Sequence, residues 1–161
     1  MSKKVLTLDY EEDFDFLLLG IFSHQRDFQV CHEINLLLSA DLERQDEFVL
    51  PMEKKGSTGL FTIFQYKTEN EEEYFLISNK GINGHFNSSQ KHIDFFLLIR
   101  NQNRYTNLEE IIKNLRLSKI ISSVIQLEPD TLKRADNFLY VEYIDLAAKR
   151  EKEEKEVLKK L

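Results

Sequence analysis

The densest chemistry in this chain is the set His24, Asp27, Cys31 and His32. Imidazole, carboxylate and thiolate are all ligands for a borderline metal, and Asp27 and Cys31 stand one turn apart if the segment is a helix. The helical wheel then separates them. Cys31 falls with Val30, Ile34, Leu37 and Leu38 on an apolar arc, whereas His32 lies about 100° away. The expectation is a buried structural thiol flanked by partly exposed imidazoles, with no metal site assigned. Nor is Cys31 read as a nucleophile, because a helix body offers a thiolate no stabilising amide ends.

Asp13, Asp15 and Asp94 form the second group. Asp-Phe pairs open two strong strand patterns, and if those strands lie side by side their carboxylates could share acid-base work or a Mg²⁺ ion. The simpler reading makes each a solvated residue at a strand entrance. Gly81-Ile82-Asn83-Gly84-His85 is a glycine loop beside Lys80, but it lacks the spacing of dinucleotide or Walker motifs. GxSxG, HExxH and kinase signatures do not occur. No catalytic residue, metal or cofactor is assigned. His24, Asp27, His32, Asn79, Lys80 and Asp94 are expected to form a candidate binding surface.

Periodicity supplies the elements that must position these groups. Lys3 to Leu8 reads as a short strand, and Phe14 to Phe22 reads as a strand apolar on both sides, in which Gly20 disfavours a helix. Arg26 to Ser39 has helical spacing. Strand patterns follow at Phe48 to Met52, Leu60 to Tyr66 and Tyr74 to Ser78, the last two expected to pair through the charged connection Thr68 to Glu73. Asn79 to Gln90 is loop-like, and Ile93 to Ile99 is the strongest strand signal. Asn107 with Glu110 caps a helix whose apolar face is Leu108, Ile111, Ile112 and Leu115. Ile120 to Leu127 is a further strand, Pro129 opens a short helix through Arg134, and Phe138 to Tyr143 is read as extended. From Leu146 the chain becomes a charged helix with favourable Glu-to-Lys pairs.

The 161 residues, 42% hydrophobic and 31% charged, suit one globular domain. The fold class expected is α+β: a mainly antiparallel sheet of about six strands covered by two principal helices, with a charged C-terminal helix. Residues 1–145 are assigned to the domain and 146–161 to a helical extension. Repetition of Asp-Phe strand, helix and strand suggests a duplicated β-α-β plan with helices on one face. A net charge of −6 repels phosphate backbones, so nucleic acid is excluded as partner. The longest apolar run, Phe16 to Phe22, is far shorter than the roughly 20 residues of a membrane span, and no signal-peptide core follows Met1. With a lone cysteine, a reducing cytoplasm is expected.

Asp13-Phe14-Asp15-Phe16, Leu19-Gly20-Ile21, Ser23-His24, Asp27-Phe28, Cys31, Glu33 and Asn35, then Tyr74 to Lys80 and Ile93 to Ile99, together resemble the bacterial family named for its IPExxxVDY motif. The likeness spans roughly residues 5 to 138. Ile93-Asp94-Phe95 keeps the motif's Asp between two conservative replacements, whereas Asn87-Ser88-Ser89 stands where Ile-Pro-Glu would be expected. That removes a Pro-stiffened turn and a carboxylate. The resemblance implies a small cytoplasmic bacterial protein and supplies no reaction.

The leading expectation is a non-enzymatic binding or protein-interaction domain, with a protein partner or a homodimer. The plentiful aromatic residues suit an exposed strip for self-association. A small-molecule-sensing regulatory domain of ferredoxin-like or ACT-like type is the second class. An enzyme using Asp94 with His24 or Asp15 is the third.

Overall fold

The computed structural model describes residues 15–52, 54, 56–133 and 135–160, and of residues 142–153 the backbone alone. The strand expected at Lys3 to Leu8, and Asp13 with Phe14, lie outside the described residues. Among these residues ten strands, β1 (Phe16–Ser23), β2 (Glu43–Arg44), β3 (Phe48–Pro51), β4 (Thr58–Phe61), β5 (Ile63–Lys67), β6 (Glu73–Ser78), β7 (Lys80–Gly81), β8 (Gly84–His85), β9 (Phe95–Arg100) and β10 (Ile121–Leu127), occur with three helices. These are α1 (Asp27–Leu38), α2 (Leu108–Leu115) and α3 (Asp136–Lys160).

The main sheet has six strands in the order β10-β1-β9-β6-β5-β2, with every neighbouring pair antiparallel. The class is α+β, as composition and periodicity indicate. β1, β6, β9 and β10 with α1 and α2 follow the chain order β-α-β-β-α-β, and β1 lies between β9 and β10. This is the connectivity of a split β-α-β, or ferredoxin-like, plan. β2 and β5 extend its edge.

Successive side chains of a strand face opposite ways, and here both faces are buried. Leu19, Ile21, Tyr74, Leu76, Phe95, Leu97 and Ile99 pack under α1 and α2 through Val30, Cys31, Ile34, Ile111 and Leu115. Phe16, Leu18, Phe75, Ile77, Phe96 and Leu98 form a second core with Phe48, Leu50, Phe61, Phe86, Ala135, Phe138 and Val141. Two-sided burial explains why the central strands are continuously apolar. Gly20 serves that packing: a Cβ there would come within 2.9 Å of Ile93 Cδ1.

Several sequence expectations change. Phe138 to Tyr143 is helical, being part of α3, because Phe138 and Val141 are buried one turn apart while Tyr140 is 45% exposed. Strand alternation would have put Phe138 and Tyr140 on one face. The helices accordingly do not share a face: the start of α3 covers the second core. α3 runs unbroken through residues 145 and 146. The run from Leu60 to Tyr66 divides at Thr62, β4 pairing with β3 and β5 with β6. Pro129 opens only a short 3₁₀ turn, Pro129–Thr131.

The caps follow the local sequence. Asn107 Oδ1 accepts from Glu110 N at 3.1 Å, as its spacing requires, and Gln29 Oε1 accepts from Arg26 N at 3.2 Å at the start of α1. Ser118 Oγ donates to Glu33 Oε2 at 2.6 Å, tying the end of α2 to α1.

Candidate functional site

At the N-terminal end of α1 the sheet opens into a depression of ≈ 400 Å³ lined by Ser23, His24, Asp27, Thr62, Lys80 and Asp94 among others. Four of the six expected surface residues therefore meet there, drawn from β1 and its following turn, from α1, from β7 and from the residue before β9.

The backbone fixes Asp94 first. Its N–H donates to Ile21 O at 3.2 Å and its carbonyl accepts from Asn79 N at 3.0 Å. The carboxylate, 20% exposed, accepts from Ser23 N through Oδ2 at 2.9 Å and faces Lys80 Nζ through Oδ1 at 3.7 Å. Lys80 is 66% exposed, so this ion pair contributes little to stability.

Ser23 is buried where the β1–β10 register slips, and such a slip re-aims a side chain. Its Oγ donates to Ile120 O at 2.8 Å and accepts from Gln25 N at 3.2 Å, which turns the chain so that His24 projects into solvent beside the depression. Asp27, at the first position of α1, accepts from Phe28 N at 2.7 Å. A carboxylate there also complements the partial positive charge of the helix start.

Asn79 and His32 do not join this group. His32 is exposed along α1. Asn79 is fully buried and serves as a brace: Nδ2 donates to Gln90 O and Ile93 O, both at 2.8 Å, while Oδ1 accepts from Asn87 N at 2.8 Å. It holds the segment between Lys80 and Asp94 in shape. Asn87 is buried too, and its Oδ1 accepts from Ser89 N at 3.1 Å to start the 3₁₀ turn Ser88–Gln90. Side-chain bonding thus shapes the turn where the resemblance would place Ile-Pro-Glu. The glycine loop is a narrow hairpin in which Lys80 pairs with His85. Burial, then Lys91 and Lys80, push the His85 pKa down.

Asp15 and Asp94 do not form the shared carboxylate group that side-by-side strands would have allowed. β1 and β9 are adjacent, but Phe16 pairs with Arg100 and Ile21 with Phe95, so antiparallel pairing puts the two acids at opposite ends, about 24 Å apart at 3.4 Å per residue. Cys31 is buried, its Sγ lies 3.6 Å from Leu42 O, and desolvation, then Asp27, raises its pKa to about 11. The thiol stays protonated at neutral pH. Among the described residues no group of three or more His, Cys, Asp and Glu is placed to hold a metal ion.

The depression presents an imidazole, an ammonium group, the Arg26 guanidinium and two carboxylates on an open rim. Such a set can donate and accept hydrogen bonds to a docked surface. Ser23 and Thr62 are not among the surface residues expected from the sequence. Thr62 carries no local signal, whereas Ser23 stands between the strand and His24. No family model matches the chain, and neither the curated proteins nor the solved structures contain a match. No helix among the described residues is long and apolar enough to cross a membrane.

Proposed function

We propose that this is a non-enzymatic cytoplasmic binding domain whose depression at the start of α1 docks a protein partner. The observation that supports this is the gathering of His24, Asp27, Lys80 and Asp94 around one open hollow, on backbone held by Asn79 and Ser23. Mixed charge on a solvated rim favours selective contact, since complementary charges steer encounter and mismatched ones repel. The resemblance to the IPExxxVDY family is compatible with this role and remains part of the proposal.

Affinity capture from cytoplasm with the full chain, set beside the double variant Asp27→Lys and Lys80→Glu, tests the reading. Both residues are at or near the surface, so the variant should keep its melting temperature and lose the partner. Equal capture by a folded variant would refute the proposal.

Self-association is the second element. Phe28, Leu36 and Leu117 are 58%, 65% and 69% exposed on or beside the two helices of one face, more apolar surface than their own packing needs. Light scattering should report a homodimer, and a monomer at high concentration would remove this element. A small-molecule-sensing role is the alternative reading, favoured by the split β-α-β strand order. A metabolite that raises the melting temperature saturably would decide for it.

A further inference from the structure

At the opposite end of α1 lies a separate crevice of ≈ 230 Å³, between Ser39 and Ala40, the first turns of α2, and the β5–β6 hairpin. Its walls carry Tyr66, Tyr74 and Tyr105, and Glu72 and Glu110 also line it. No Lys, Arg or His contributes to the lining. The Tyr66 and Tyr74 rings stand 6.3 Å apart between centroids. Tyr105 is 57% exposed, with the Arg104 guanidinium 4.9 Å from its ring centroid and bonded to its hydroxyl.

Glu72 is the unusual residue. It is only 5% exposed, as buried as its neighbour Glu73 at 4%. Glu73 has a guanidinium of its own, Arg100, at 2.8 Å. Glu72 accepts instead from the hydroxyls of Thr68, at 3.3 Å, and Thr106, and among the described residues no cation pairs with it. A buried carboxylate without a counter-charge is costly, and here it borders a cavity with aromatic walls. The negative faces of aromatic rings attract cations, alkylammonium groups above all.

We propose that this crevice binds a small organic ammonium ion, its charge set against Glu72 and its alkyl groups against Tyr66, Tyr74 and Tyr105. The site differs from the docking depression in residues and position, so the two stand or fall separately. Burial, then Glu72, holds the Tyr74 pKa up at about 12. The small volume suits a group of few heavy atoms in place of a nucleotide or a peptide.

Calorimetric titration of the full chain with choline and with ethanolamine, against a sodium chloride control of equal ionic strength, tests this. Saturable binding of either probe in roughly the millimolar range or tighter is expected. Glu72→Gln should weaken it about tenfold or more, the loss of one charged contact. Tyr105→Ala, at an exposed position that leaves the core intact, should weaken it about threefold or more. 3,3-Dimethylbutanol, the uncharged shape mimic of choline, should bind about tenfold more weakly than choline, and Lys80→Glu should leave choline binding unchanged. No saturable heat from either ammonium probe, or equal affinity for choline and its neutral mimic, would overturn the proposal. So would unchanged binding in both the Glu72 and Tyr105 variants.

Discussion

Replacing Asn79 tests the architecture beneath the docking depression. The Asn79→Ala variant loses three hydrogen bonds of 2.8 Å, to Gln90 O, Ile93 O and Asn87 N. Gln90 O keeps a bond from Ile93 N at 3.1 Å, so its loss is the smallest. Three bonds at about 1 kcal/mol each, with buried groups left short of partners, come to about 3–5 kcal/mol. For a chain of this size that is a fall in melting temperature of about 10 °C. Asn79→Asp sharpens the test. It retains the acceptor for Asn87 N but turns a donor into a carboxylate oxygen facing two carbonyl oxygens. At neutral pH it should therefore be less stable than the Ala variant. The introduced Asp is disfavoured in its charged form, so its folded pKa lies above its unfolded value of about 3.9. The destabilisation it causes should accordingly shrink as pH falls through that folded value. Urea unfolding at pH 7 and pH 5 measures both effects. A cost of Asn79→Ala below about 1 kcal/mol, or an Asp variant as stable as the Ala variant at pH 7, would refute the brace.

Other substitutions probe the remaining claims. Phe138→Ala should cost about 3–5 kcal/mol in chemical denaturation, because the ring is 2% exposed and meets Phe96 edge-on at 4.9 Å. A cost below about 1 kcal/mol would detach α3 from the second core. Arg100→Met should cost about 3–5 kcal/mol by leaving Glu73 buried with Asn101 as its remaining side-chain donor among the described residues, and adding Glu73→Leu should recover most of it in a double-mutant cycle. Simple additivity of the two single costs would deny the coupling. Cys31, its pKa raised from 9.0 to about 11, should hold about 100-fold less thiolate at pH 8 than an unfolded thiol, and alkylation by iodoacetamide should be slower by at least that factor. The raised pKa favours the native state below pH 9, and that contribution fades as pH climbs through about 11. Labelling of the native protein at the unfolded rate would contradict the burial.

Period and composition alone settled the α+β class, the wheel of α1 that hides Cys31, the Asn107 cap and the pairing of β5 with β6. Each depends on neighbours a few residues apart, where side-chain spacing and turn chemistry act directly. Phe138 to Tyr143 could not be read this way, because an aromatic-rich run suits a strand until a second sheet face exists to bury Phe138 and Val141 one helical turn apart. Strand direction was equally hidden: the sequence left open whether Asp15 and Asp94 meet, and antiparallel pairing of β1 with β9 puts them at opposite ends of the sheet. Polar type suggested that Asn79 faces solvent, and its three bonding partners, Asn87, Gln90 and Ile93, become available only when the segment folds back. Tertiary structure also gathered His24, Asp27, Lys80 and Asp94 around one hollow, and left Glu72 without the guanidinium that Glu73 has. Contacts between residues far apart in the chain depend on how sheet faces are covered, and no local pattern encodes that.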